Sequence, residues 1–476
     1  MISGDTSGAL FSRASIECFL GKQLFPEVSS QEAKQAYENA LAELKESPAD
    51  SVVIACSSFS RYIGLMLASL AANRSVYCAN PHWREQEWDE AGREIPAGTV
   101  WLGSEENASC NKIIFQGDAF PSEEKSVRIF IPTGGTGGKV RFMAHNEMTL
   151  AAAARAQCAV FGKQPLDSVS PLPPWHISGI MPVVRAMVSA GRLQLCDGSF
   201  GESIPLPNLF SGSKVPLSGR NFLLLSVVPT QLRRILAKPD GATWLRQFDC
   251  VLLGGAATSP DLLEQAREEG IRIGIGYGMT ETAAFVAVHL PGDFLEEKPV
   301  SGTVLSHAGI RILDTEGNAA AEGEHGRVVI SADSLADEIG AVDSVGRKCL
   351  YTQDEGFLRD GRLYLLGRLD RHIITGGEKV DPRRVEEVLA GTSMVKAVLV
   401  VGEPDAEWGM RIVALVELNN APKVSPNWQN QLSEYVRSQL ARHCVPRRWI
   451  AVSRLPFNER GKLDRGLLAE LLAPVN

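Results

Sequence analysis

From about residue 50 the chain alternates two hydrophobic textures. SVVIACSS (51–58) is a short apolar run, RYIGLMLASLAA (61–72) is apolar over a helical length, and SVYCAN (75–80) is short again. The short β-branched runs predict buried strands and the longer one a helix. The same alternation returns further along. NFLLLSVV (221–228) predicts a strand, and PTQLRRILA from Pro229 a helix opened by a proline, whose missing N–H has no helical partner anyway. DCVLLGGAA predicts a strand and a glycine turn, SPDLLEQAREEG a helix capped by Ser259 and stopped by Gly270, and IRIGIGYG a further strand. Strands alternating with helices predict an α/β fold with a mostly parallel sheet covered on both faces. Ligands in such folds gather beyond the carboxyl ends of the strands. Glycine-rich segments fall there three times, after VRIFIP, CVLL and IRIGIG.

After about residue 300 the texture changes to short strands (GIRILDTEGN, HGRVVIS, RDGRLYLLGRLD) broken by Asp-Gly or Glu-Gly turns, which predicts a small β-rich subdomain. Beyond Asp370 a compact α+β piece follows: RRVEEVLAG as a helix, KAVLVVGEP and RIVALVEL as strands, and a long amphipathic helix from Trp428 to Arg442. The expected division is a domain over 1–369, with its β-rich part at about 300–369, and a second over 370–476. The boundary lies at Gly367 to Arg371.

Composition narrows the function classes. The chain has 476 residues, 44% hydrophobic and 22% charged, with 48 basic against 56 acidic side chains. A net charge of −8 argues against a general nucleic-acid binder. Nine scattered cysteines without a CxxC pair argue for a reducing compartment and against a zinc ribbon. The N-terminus lacks a basic segment followed by an apolar run, and no stretch is apolar enough to span a bilayer. The chain therefore reads as cytoplasmic, without stable membrane insertion. A homodimer is compatible with the sequence, which does not decide oligomeric state.

Four segments carry candidate chemistry. IPTGGTGGKVR (131–141) offers glycine N–H groups that can converge on an anion, with Lys139 and Arg141 beside them. It is not the nucleotide loop of kinases and GTPases: Thr133 stands where the first glycine belongs and Val140 where a metal-binding hydroxyl belongs. GYGMTETAAF (276–285) offers the ring of Tyr277 to a base, the Thr280 hydroxyl to phosphate and Glu281 to magnesium. Thr280 and Glu281 could equally be the cap and first-turn acid of a following helix. In YTQDEGFLRDGRLYLLGRLDRHIITGGEKV (351–380), Asp354 could accept both hydroxyls of a ribose and Arg368 could reach the same ligand, or both could decorate turns. NERGKLDR (458–465) places Lys462 in a turn.

In this order and spacing the four segments resemble the adenylate-forming superfamily of acyl-CoA synthetases, non-ribosomal peptide adenylation domains and luciferases. That family's T-S-G-T-T-G-x-P-K is similar to TGGTGGKVR (Thr133 to Arg141), with Gly134 and Gly137 replacing hydroxyls, Val140 the proline and Arg141 the lysine. Its Y-G-x-T-E matches Tyr277 to Glu281, its T-G-D-x-G becomes TQDEG around Asp354, its G-R-x-D is GRLD, and its C-terminal lysine is Lys462. The resemblance covers essentially the whole chain. It implies an N-terminal AMP-binding domain of Rossmann-like parallel sheets covered by helices, with a small β-rich subdomain, joined by a hinge at Asp370 to a small mobile C-terminal domain.

The resemblance also implies the site. Thr133, Gly134, Gly135, Thr136, Gly137, Gly138, Lys139 and Arg141 would steady the β- and γ-phosphates of ATP. Thr280 and Glu281 would act at the phosphates and Mg²⁺, with Glu281 as metal ligand. Tyr277, Gly278, Met279, Gly254, Gly255 and Ala256 would enclose adenine, and Asp354 and Arg368 would hold the ribose. Lys462 would bridge the carboxylate and the α-phosphate. After rotation about Asp370, Gly376 and Gly377 would line a tunnel for coenzyme A.

The acid is addressed by PLPPWHISGIMPVVRAMVSAG (171–191), where Arg185 interrupts an otherwise apolar helix. A buried arginine wants an anionic partner, so Arg185 either reaches a second carboxylate on the substrate or pairs within the protein. WHISGIMPVVR, SVVPTQLRRIL and GYGMTETA together most resemble 2-succinylbenzoate–CoA ligases of menaquinone and phylloquinone synthesis, with an arginine nine residues after His176. That resemblance implies His176 at the acyl pocket, with Ser178 and Thr282 as further donors. Three rivals stay open: another acyl- or aryl-CoA ligase, an enzyme that loads a carrier protein, and an inactive nucleotide-binding scaffold.

Overall fold

A computed structural model describes residues 9–473 except 26, 104–114, 119–125, 135–139, 163–164, 197–220, 256–257, 297–301, 344–345, 376–377, 406–407, 420–426 and 459–462. The chain divides into two compact units. The first comprises Met1–Ile310, Val329–Leu350 and Asp360–Leu363; the second comprises Arg311–Val328, Tyr351–Arg359 and Tyr364–Asn476.

In the first unit one sheet orders the strands Leu24–Phe25, Leu193–Leu195, Leu166–Ser170, Phe222–Val227, Cys250–Leu253 and Ile273–Met279, all parallel. Ala284–His289 and Thr303–Val304 continue it antiparallel. A second sheet orders Val100–Leu102, Ser51–Ile54, Ser75–Cys78, Ile129–Gly134 and Val140–His145, parallel except for its last pair. The α/β alternation is thus as expected, with antiparallel strands added after the first and third glycine-rich segments, whereas the segment after Cys250–Leu253 leads into a parallel strand.

The helix Phe59–Ala71 is buried on almost every side, as a helix apolar all round must be. It crosses Glu27–Glu46 through Gly64, where a Cβ would stand 2.2 Å from the Ala33 carbonyl oxygen. Glu27–Glu46 buries Ala33, Ala36, Tyr37, Ala40 and Leu44 at helical spacing, a stripe made mostly of small residues.

A buried ion pair joins the starts of the neighbouring strands Leu166–Ser170 and Leu193–Leu195. Asp167, 1% exposed, accepts from the Arg192 backbone N–H at 2.8 Å, from its Nε at 3.0 Å and from Asn221 Nδ2 at 3.2 Å. Removing one partner of a buried pair strands the other charge, so Asp167→Ala is expected to cost about 3–5 kcal/mol. A fall in the urea midpoint at unchanged slope measures this.

The second unit contains a sheet of Glu378–Val380, Ile373–Thr375, Gly409–Leu418 and Val395–Asp405, with Arg448–Ala451 parallel to Gly409–Leu418. Helices Pro382–Ala390 and Trp428–Gln439 cover a core that includes Val385, Leu389, Leu432 and Val436. The last helix stops at Gln439 rather than Arg442, because Leu440 is extended and residues Arg442–Cys444 form a separate 3-10 turn.

Candidate active site

The strands on either side of the expected phosphate loop pair antiparallel, with Thr133 opposite Arg141 and Gly134 opposite Val140. The first strand runs two residues past Pro132, where the sequence reading ended it. Thr133 is half-buried and Arg141 exposed, while Gly135, Thr136, Gly137, Gly138 and Lys139 lie outside the described residues. The second strand is the edge of its sheet, and three glutamates cap its outward N–H groups. Val140 donates to Glu90 at 2.9 Å, Phe142 to Glu94 at 3.2 Å, and Ala144 to Glu338 at 2.9 Å. An uncapped edge would expose these donors to another strand. Burial pushes the carboxyls of Glu94 and Glu338 up.

The segment after Ile273 departs from the helix-cap alternative. The strand continues through Met279, a single 3-10 turn Thr280–Thr282 follows, and the chain returns as the antiparallel strand Ala284–His289. Gly278 permits this return, since a Cβ there would stand 1.9 Å from the Ala284 carbonyl oxygen. Ala283 and Ala284 both carry positive φ, 51° and 73°, a strained conformation for residues with a Cβ. Tyr277, Met279, Thr280 and Glu281 are half-buried along this hairpin. The Glu281 carboxylate has no hydrogen bond or ion pair among the described residues.

Thr282 takes a different place from the one expected of a substrate donor. It is fully buried, its oxygen accepts from the Met279 N–H at 3.0 Å, and its hydroxyl lies 2.7 Å from the Ala284 carbonyl. That hydroxyl has one proton, and the hairpin uses it.

Of the residues expected to enclose adenine, Gly254 and Gly255 follow the strand Cys250–Leu253. Gly255 has φ 79°, and no atom stands within 4 Å of a Cβ built on Gly254. Ala256 lies outside the described residues.

The helix Ile177–Ser189 begins at His176. Gly179 lets its first turn press on the preceding loop, since a Cβ would stand 2.1 Å from the Pro173 carbonyl oxygen. His176 and Ser178 are half-buried at this end. Arg185, deeper in the helix, is 2% exposed. Its Nη1 donates to Gln157 Oε1 at 3.1 Å and its Nη2 to Ser226 Oγ at 3.2 Å, while its Nε has no partner. No carboxylate pairs with it among the described residues. Burial lowers its pKa to about 10, so the guanidinium stays charged at neutral pH. The orientation of Gln157 follows from its neighbours. Its amide nitrogen faces the carbonyls of Ala283 and Phe285 at 3.2 and 3.3 Å, leaving the oxygen for Arg185.

Asp354 and Arg368, both in the second unit, come together on the strands Leu350–Arg359 and Arg362–Arg368. Arg368 Nη1 approaches Asp354 Oδ1 at 3.4 Å, and its Nε and Nη2 fork onto the two Asp370 oxygens, each at 2.8 Å. The two residues that follow are also tied. Arg371 pairs with Glu386 at 3.1 Å and His372 with Glu355 at 3.4 Å. Gly376 and Gly377 lie outside the described residues, between paired strands in which Thr375 faces Glu378. Lys462 lies outside them too. Phe457 bridges to Leu463, and Asp464 caps the helix Arg465–Leu472.

Gln157, Ser226, His145 and Ser334 were not anticipated. Each is an unremarkable polar residue in a helix, strand or turn, and only its buried hydrogen-bond partners set it apart. Among the described residues no helix is long and apolar enough to cross a membrane.

Residues 100–338 match the model of the AMP-binding enzyme family, and residues 384–462 match that of the AMP-binding enzyme C-terminal domain. The 2-succinylbenzoate–CoA ligase of Enterococcus faecalis is 30% identical over 355 residues, covering 72% of this chain and 70% of the relative. The ligase of the same name from Escherichia coli is 31% identical over 346 residues, covering 71% and 67%. In three dimensions, o-succinylbenzoate CoA synthetase from Bacillus subtilis, solved with the acyl-adenylate intermediate, superposes with a TM-score of 0.70 over 92% of each chain at 23% identity. The amide bond synthetase of Marinactinospora thermotolerans superposes with a TM-score of 0.76 over 98% of this chain and 100% of its own, at 21% identity. The chain belongs to the AMP-binding, adenylate-forming family of enzymes.

Proposed function

We propose that this protein is an ATP-dependent acid–CoA ligase, forming an acyl-adenylate and then a thioester, and that its acid is 2-succinylbenzoate. The relatives of that name support the reaction. The acid rests on one observation: Arg185 is a buried cation with only neutral partners. A charge in that position is costly unless an anion meets it. 2-Succinylbenzoate carries two carboxylates, one to be activated and one left for such an arginine. His176 and Ser178, at the start of the same helix, would lie toward the acyl group.

In the first half-reaction a carboxylate attacks the α-phosphate and pyrophosphate leaves. Two anions must meet, so cations and oriented donors are needed where charge accumulates. The uncommitted carboxylate of Glu281 fits a magnesium ligand, with ATP oxygens and water completing the oxygen shell such an ion takes. Magnesium would neutralise the phosphates. Thr280, Thr133, the glycines that follow it, Lys139 and Arg141 would hold the leaving pyrophosphate, and Lys462 would bridge carboxylate and α-phosphate. Tyr277 and the 254–256 segment would take adenine, with Asp354 and Arg368 taking the ribose. In the second half-reaction a turn of the C-terminal domain about Asp370 would withdraw Lys462 and bring Gly376 and Gly377 to the pantetheine of CoA.

Pyrophosphate release with ATP and Mg²⁺ tests this, using 2-succinylbenzoate, benzoate, 4-phenylbutyrate and octanoate in parallel, with and without CoA. Turnover selective for the dicarboxylate is expected. Equal or faster turnover of a monocarboxylate would keep the ligase and discard the acid.

A further inference from the structure

The turn that carries Thr280 and Glu281 is gripped at every carbonyl for six residues. His145 Nε2 lies 2.7 Å from the Thr280 oxygen, and the Ala336 N–H donates to the Glu281 oxygen at 2.9 Å. Ser334 Oγ donates to the Thr282 oxygen at 2.9 Å, and Gln157 to those of Ala283 and Phe285. The Thr282 hydroxyl takes the Ala284 oxygen. Exposed turns leave such carbonyls to water, whereas a buried turn must find every partner within the protein. Here the grip coincides with two consecutive left-handed alanines, and strained backbone persists only where its surroundings over-determine it.

His145 is the side chain of this set that reaches the Thr280 carbonyl. It is 0% exposed and ends the strand that follows the phosphate loop. The Thr280 carbonyl can only accept, so Nε2 carries the proton, and Nδ1 faces the Thr149 hydroxyl at 3.2 Å. The ring therefore joins the strand after the loop directly to the residue before Glu281.

We propose that His145 is a positioning residue, whose hydrogen bond to the Thr280 carbonyl fixes the Thr280–Glu281 turn in the orientation that receives the metal–nucleotide complex. The inference rests on the reading of Glu281 as a metal ligand. Loss of a group that orients a ligand typically weakens metal affinity about 10–100-fold.

Binding, rather than turnover, tests it. Mn²⁺ titrated with ATP and no acid is followed by the electron paramagnetic resonance of free Mn²⁺, in the wild type, His145→Leu, His145→Gln and Glu281→Gln. Affinity for Mn²⁺ is expected to fall about 10–100-fold in His145→Leu and Glu281→Gln. His145→Gln, which can return an N–H to the same carbonyl, is expected to regain most of it. The Michaelis constant for the acid should be unchanged in His145→Leu. Normal Mn²⁺ binding in a folded His145→Leu, with loss in Glu281→Gln, would overturn the inference and leave the reading intact. Normal binding in Glu281→Gln would overturn the reading itself. If His145→Leu does not fold, Ser334→Ala removes the donor to the Thr282 oxygen from another side. Wild-type Mn²⁺ affinity in that variant would equally overturn the idea that the grip positions the turn.

Discussion

Lys462→Ala is expected to lower pyrophosphate release from ATP and acid by about 10²–10³-fold, the usual loss when one stabilising donor is removed from a developing charge. The same variant should still convert a supplied acyl-adenylate and CoA to thioester at close to the normal rate. The asymmetry follows from charge. In the first half-reaction a carboxylate approaches a phosphate, two anions whose repulsion grows as water leaves the site. A single ammonium between them counts most there. In the second half-reaction the carboxylate is already joined to the phosphate as a mixed anhydride, so no two anions have to be brought together, and a lysine in the same place would obstruct the incoming thiol. Measuring the two halves separately decides the matter, and equal loss in both would remove Lys462 from its assigned role.

Arg185→Leu is expected to lower activity toward the dicarboxylate without lowering stability. A charge-assisted hydrogen bond contributes roughly 1.5–3 kcal/mol. An arginine making two of these to the second carboxylate would therefore support a preference for the dicarboxylate of at least about 10²-fold in kcat/KM, lost in the variant. Stability should rise or stay level. Arg185 is buried with neutral partners and an orphaned Nε, and replacing a buried charge by a fitting apolar side chain is often neutral or stabilising by about 1–4 kcal/mol. An arginine kept only for the fold would behave in the reverse way, with stability lost and substrate preference unmoved. Thermal unfolding and kcat/KM for 2-succinylbenzoate against 4-phenylbutyrate, read on the same preparations, separate the two.

Much of the fold was legible because its signals are local. Short β-branched runs between capped helices marked the parallel strands, and the Ser259 and Gly270 boundaries follow from capping alone. Glu27–Glu46 carries its periodicity mostly on alanines, a weak apolar signal, and its contact with Gly64 joins residues far apart in sequence. The return of the chain after Met279 as an antiparallel strand is hidden in the sequence for a related reason. Gly-x-Thr-Glu reads equally well as a helix start, and only the partner strand Ala284–His289 decides for a hairpin.

The candidate site divides along the same line. The sequence by itself determined which chemical groups are present and in what order: the glycine loop, Tyr277 to Glu281, Asp354, Arg368 and Lys462 form a pattern that spacing alone makes recognisable. It also determined that Arg185 would sit in an apolar helix. Only the tertiary structure decided which of these groups are committed elsewhere. It turned the Thr282 hydroxyl inward to the Ala284 carbonyl, forked Arg368 onto Asp370, and left Arg185 with Gln157 and Ser226 but no carboxylate. A hydrogen bond or an ion pair depends on distances between residues that the chain brings together from far apart. Periodicity and capping describe neighbours along the chain, so they cannot say which donors remain to meet a substrate.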